Sequence, residues 1–113
     1  MRPEARKYLH DIQLAADRVE RFCAGKTFDQ YLADEMLRAA VERQLGIIGE
    51  ALARLAKDDS GVAAAIPDSG KIIAFRNILI HGYASVDDQI VWGVIENHLA
   101  GLRTSVRQLA ATP

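Results

Sequence analysis

The sequence contains a single cysteine, Cys23, so no intrachain disulfide framework can form and a reducing compartment is the natural setting. Cys23 follows Phe22 at the end of an apolar stripe and has no evident base beside it, which makes it a core-filling residue rather than a reactive thiol. An excess of one charge is also missing: 14 Lys and Arg stand against 15 Asp and Glu, a formal net charge of −1. Without a global pull toward nucleic acid or anionic membrane, any contact with RNA or DNA has to be local. No uncharged run approaches the roughly 18 residues of a membrane span, and the charged start MRPEARKYLHD lacks the apolar stretch of a secretory signal. These absences describe a soluble, cytoplasmic protein. The histidines, His10, His81 and His98, lack the helical i, i+4 spacing with carboxylates that would argue for a metal site. No stretch alternates as a strand would, and neither an internal repeat nor a low-complexity segment is present.

What is there is apolar residue at helical spacing. The chain has 113 residues, half of them apolar, enough for one core and a single helical domain over 1–113. Leu9, Ile12, Ala16, Val19 and Phe22 mark one face of a first helix over residues 3–24, which Gly25 ends. Thr27 and Gln30 form a capping-box pair that opens a helix of about 30 residues, with Tyr31, Leu37, Val41, Leu45, Ile48, Leu52 and Leu55 on its stripe. Ala40, Ile47 and Ala51 widen this stripe beyond what one neighbour can cover, which suggests a partner subunit. Breakers fill DDSGVAAAIPDSG, where Val62 to Ile66 can form a short helical turn. A third helix starts at Pro67 or Asp68 and carries Ile72, Ile73, Phe75, Ile78, Leu79 and Ile80. Asp87 caps a fourth, with Val91, Ile95, Leu99, Leu102, Val106 and Leu109 in register. Four helices with short joints predict an all-α, antiparallel up-down bundle. Gly46 and Gly49 inside the longest helix each cost about 1 kcal/mol relative to Ala, and close helix packing is the natural compensation. Glu50 lies among apolar neighbours, where a carboxylate calls for a cation, and Arg76 is the candidate.

The chemistry concentrates in RNILIHGY, residues 76–83. Arg76 and His81 lie five residues apart, about 140° around a regular helix and about 7.5 Å along it, so they cannot look out of one face. The conflict eases if the helix ends near His81 with Gly82 as a left-handed C-cap. His81 is then the residue able to exchange a proton near neutral pH, and Arg76 the fixed cation able to hold a phosphate.

At these residues the chain resembles the HepT-like toxins of the HEPN superfamily, which carry Arg, four residues, His, one residue, Tyr. Arg76, His81 and Tyr83 meet that pattern, with Asn77 as the polar residue after the arginine. ERQLGIIGEALARL upstream and YASVDDQIVWGVIENHL downstream extend the likeness over most of the chain. It departs at DSGKIIAF, where an aromatic residue near Gly70 and Lys71 belongs to the family pattern and the third helix begins. The resemblance implies a HEPN-like bundle, a homodimer with two facing motifs, and a metal- and cofactor-independent endoribonuclease. In that scheme His81 is the general acid or base, Arg76 stabilises charge on the phosphorane, Asn77 orients the phosphate or the imidazole, and Glu50 supports Arg76 from behind. It further implies a toxin neutralised by a minimal nucleotidyltransferase antitoxin that attaches AMP to Tyr83. Plainer roles stand beside these: a packing pair between Arg76 and Glu50, a helix-capping His81, a packing Tyr83. A rival for the whole chain is a non-catalytic helical module that binds the nucleotidyltransferase as its substrate or substrate-binding subunit. His98, beside Leu99, is assigned to the core or an interface, His10 to the surface, and Trp92 to the core or a dimer surface. Arg38, Arg43, Arg54, Lys57, Arg103 and Arg107 are interspersed with acids and belong mostly to solvated faces, a few of them available to an RNA path.

Overall fold

A computed structural model describes residues 1–82 and 86–113, and among these the regular elements are all helical. They are α1 (Pro3–Cys23), α2 (Phe28–Ala33), α3 (Glu35–Asp58), α4 (Ser60–Ala64), α5 (Ser69–His81), α6 (Asp88–Asn97) and α7 (Leu99–Ala110). The expected four-helix bundle with a short extra turn is present, but two of its helices are divided.

The first division falls at Asp34. The capping box opens α2 as expected, with the Gln30 amide donating to Thr27 Oγ1 at 3.2 Å and the Thr27 amide to Gln30 Oε1 at 2.9 Å. Asp34 then takes an extended conformation, φ −108° and ψ 96°, and its carboxylate accepts from the Leu37 amide at 3.0 Å. A short side chain that caps a new helix this well competes with continuing the old one. The 30-residue helix is therefore α2 and α3. The break lets Tyr31 turn inward, fully buried, with its ring centroid 5.2 Å from that of Trp92 in α6.

The second division is at His98. The His98 amide still donates to Val94 and its carbonyl still accepts from Leu102, so the apolar face continues through Val91, Leu99, Leu102 and Val106. His98 itself is exposed, with Nδ1 3.4 Å from Asp68 Oδ2, so of the core and interface positions expected of it the core one is excluded. Asp87 caps α6 as predicted, accepting from the Gln89 amide at 2.9 Å.

One buried cluster draws on all seven helices, with Leu9, Ile12, Val41, Ile48, Leu52, Leu55, Val91 and Val106 among its members. Cys23 belongs to it, and burial, ahead of the charge of Glu20, pushes its thiol pKa up. The packing is antiparallel. Arg6 near the start of α1 donates to the Ala110 and Thr112 carbonyls at the far end of the chain, and Asp17 pairs with Arg103 at 2.9 Å. Arg2 likewise reaches the Asp58 carbonyl at the end of α3. Among the described residues, no helix is long and apolar enough to cross a membrane.

Candidate functional site

Where α5 crosses α3, the contact is set by a glycine. A methyl group on buried Gly49 would lie 2.4 Å from Arg76 Cβ and 2.8 Å from its Cγ, so only a residue without Cβ lets the arginine stem lie this close. Close packing therefore accounts for Gly49 but not for Gly46, where an added Cβ meets nothing within 4 Å.

Having crossed Gly49, the Arg76 side chain meets the next residue of α3. Arg76 Nη1 donates to Glu50 Oε2 at 2.7 Å, while Arg54 Nε donates to Glu50 Oε1 at 3.0 Å. One carboxylate thus holds two guanidiniums, one oxygen each. The Glu50 side chain is 45% exposed and that of Arg54 61%, so water screens both charges and the network adds little to stability. Arg76 is more enclosed, at 22%, and its Nε is buried without a hydrogen-bond partner among the described residues. An unmet donor of that kind costs about 1–3 kcal/mol. This arrangement orients the guanidinium more than it stabilises the fold. Glu50, hydrogen-bonded to Arg54, and then the neighbouring Tyr8 hydroxyl favour its charged form and push its pKa up.

Two hollows adjoin the network. One, of about 380 Å³, lies between α1 and α3 and is lined by Lys7, Tyr8, Arg43, Ile47 and Arg54, with Ile80 of α5. The other, of about 390 Å³, contains Arg76 together with Lys57 and Asp58. Tyr8, Glu50 and Arg54 border both.

His81 is the last residue of α5 and is exposed, as is Asn77. Neither lines the two hollows, so of the anticipated residues that the structure describes only Arg76 and Glu50 come together in the single chain. Gly82 does cap the helix, its amide donating to the Ile78 carbonyl at 2.8 Å, but at φ −113° and ψ 26° it is not left-handed as expected. The imidazole thus leaves from an ordinary helix end. Tyr83 lies outside the described residues. Among the described residues, no group of three or more His, Cys, Asp or Glu is placed to hold a metal ion.

The family model for HepT-like proteins, described as ribonuclease HepT-like, matches residues 12–109. The chain belongs to this family. The matched span includes Glu50, Arg76, Asn77 and His81. A relative from Thermococcus cleftensis, named "Probable ribonuclease HepT", is 30% identical over 96% of this chain and 98% of its own length. "Putative RNase MJ0127" of Methanocaldococcus jannaschii is 32% identical over 83% of this chain and 77% of its own length. "Putative RNase TTE0752" of Caldanaerobacter subterraneus is 30% identical over 96% and 92%. No solved structure matches.

In this HepT-like chain Arg54 does lie on a solvated face, as expected, but its pairing with Glu50 is absent from the sequence reading, and so is any role for Tyr8. The spacing of Glu50 and Arg54, four residues apart on a helix, was a usable signal for their pairing. Tyr8 carries no such signal, because its place beside Arg54 exists only once α1 packs on α3. The third helix begins where it was expected, with Asp68 before its first residue, and of its isoleucines and leucine only Leu79 is buried, while Ile78 is 53% and Ile80 44% exposed.

Proposed function

We propose that this HepT-like ribonuclease is the toxin of a HEPN/nucleotidyltransferase toxin–antitoxin pair, cutting RNA in the cytoplasm as a metal-independent endoribonuclease. Its active unit is a homodimer in which Arg76, Asn77 and His81 of two chains face one cleft. The observation that carries the reading is the pairing of a pre-oriented Arg76 with an exposed His81 at the end of the same helix. On one chain they point to different surroundings, and a second copy provides the way to bring an imidazole to an arginine. Exposed Ile78 and Ile80, flanking Leu79 between the two, favour coverage by that copy.

The chemistry needs only these groups. RNA carries its nucleophile, the 2′-hydroxyl beside the scissile phosphate. His81 of one chain takes that proton as the oxygen attacks phosphorus, the partner's His81 gives a proton to the departing 5′-oxygen, and a 2′,3′-cyclic phosphate remains. Arg76 stabilises the charge gathering on the phosphorane oxygens, and Asn77 orients the phosphate. Glu50 is a positioning residue that acts through Arg76. A minimal nucleotidyltransferase antitoxin transfers AMP from ATP to the Tyr83 hydroxyl with release of pyrophosphate, placing an anion two residues from His81 that competes with RNA for Arg76.

Purified protein in a metal chelator should cleave single-stranded RNA, and His81→Ala should lower the rate by about 10² or more while the helical circular-dichroism signal and dimer mass are retained. Wild-type protein that cuts no RNA and does not slow growth when expressed without its partner would refute the nuclease reading. The antitoxin step is tested separately by mass: the nucleotidyltransferase with ATP should add AMP to wild-type protein but not to Tyr83→Phe.

A further inference from the structure

One face of α3 carries Arg43, Ile47, Glu50, Arg54 and Lys57, at intervals of four, three, four and three residues. On a helix such a series forms a continuous stripe about 21 Å long. The two hollows follow this stripe, with α1 as the opposite wall of the first and Arg76 in the second, so together they form one trough that leads to the arginine of the proposed site.

The charges left uncommitted in the trough are mostly positive. Both Glu50 oxygens are taken by Arg54 and Arg76, and Asp11 lies 3.8 Å from Lys7. Arg43 and Lys57 have no ion pair among the described residues, and Asp58 is the one acid of the trough left against them. Apolar and aromatic surface lies between these cations, in Ile47 and Tyr8. Spaced cations interrupted by an aromatic ring suit a strand whose phosphates and base faces are both accessible, which is single-stranded rather than duplex nucleic acid. The other half of α3 provides the contrast. There a hollow of about 260 Å³ is lined by Glu35, Glu42 and Asp88 with Arg38, and it repels a polyanion.

We infer that the trough between α1 and α3 binds the single-stranded RNA adjoining the cleaved link, with Arg43, Arg54 and Lys57 neutralising phosphates and Tyr8 stacking on a base. The inference rests on the RNA-cleaving reading above and adds a path for the substrate. Tyr8 lies ahead of residues 12–109, the span that the family model matches.

The test uses full-length His81→Ala protein and a fluorescein-labelled single-stranded RNA of mixed sequence, with affinity measured by anisotropy over a range of salt. Arg43→Ala with Lys57→Ala should weaken binding about tenfold or more and flatten the log–log salt dependence by about 1.4, or 0.7 per lost phosphate contact on a single strand. Tyr8→Leu, which keeps the apolar bulk, should weaken binding about fivefold or more with the salt slope unchanged. Arg38→Ala, on the acidic side, should bind like the parent. Unaltered affinity and salt slope in the Arg43/Lys57 double variant would overturn the trough, as would equal affinity for duplex RNA of the same length. Cleavage assays on protein that retains His81 separate the two levels. If wild-type protein cuts RNA and the trough variants cut it with the same kcat/KM, the trough alone fails; if wild-type protein neither binds nor cuts, the nuclease reading fails with it.

Discussion

The helices α1 and α5 treat apolar residues in opposite ways. α1 is the more polar in sequence, yet it buries seven residues, among them Leu9, Ile12 and Val19. α5, rich in isoleucine, buries only Leu79. The difference lies in arrangement. The apolar residues of α1 recur on one face, and a single docking covers them. Those of α5 surround the axis, so packing on α3 leaves Ile78 and Ile80 outside, and the stem of Arg76 takes the closest approach. One helix serves as scaffold; the other carries chemistry together with apolar surface that its own chain does not cover.

This contrast can be broken by mutation. The largest effect is expected in the scaffold: Leu9→Ala, at a fully buried position, should lower unfolding stability by about 2–5 kcal/mol in urea titration, with cleavage per folded molecule unchanged. A smaller loss of stability accompanies a displaced site in Gly49→Ala. The new methyl overlaps Arg76 Cβ and Cγ and should cost about 1–3 kcal/mol while lowering kcat, because the guanidinium moves with its stem. If Gly49→Ala kept wild-type stability and rate, the crossing would not position Arg76. On the outer face of α5, Ile78→Lys should change monomer stability by about 0.5 kcal/mol or less yet shift sedimentation from dimer toward monomer and reduce cleavage. A stable dimer in that variant would remove α5 from the proposed interface.

The smallest effect lies outside both helices. Burial, then the charge of Asp88, raises the pKa of Glu42 against the opposing pull of Arg38. A carboxyl whose folded pKa is raised contributes stability that is present below its unfolded pKa and lost as pH rises through the folded one. Glu42→Gln should therefore stabilise the protein at neutral pH by about 0.5 kcal/mol or less, and the gain should vanish below about pH 4, where both forms are neutral. Thermal unfolding across pH measures this directly.

Much of the fold was legible because the cues were local. The capping box at Thr27, the cap at Asp87 and the buried stripe from Leu37 to Leu55 all depend on neighbours within one or two helical turns. The break at Asp34 is not legible although its residues are local, because an aspartate inside a long apolar period reads equally well as a solvent-facing residue. The pairing of Arg76 with Glu50 was anticipated from two charges that each needed a partner. Arg54 as the second guanidinium and Tyr8 as its neighbour were not, and the role of Gly46 was misjudged, since an open groove leaves the same sequence mark as a tight crossing.

The sequence by itself determined that the chain is helical, where most helices start, which faces turn inward and which residues carry protons and fixed charge. Spacing and side-chain type decide those properties within a few residues. Tertiary structure alone decided that Arg76 crosses α3 at Gly49, that one Glu50 carboxylate holds two arginines, and that basic side chains of α1, α3 and α5 border two adjoining hollows while acids border another. Those are relations between residues far apart in the chain, and they arise only when burial of the apolar faces sets the distance and angle at which helices meet.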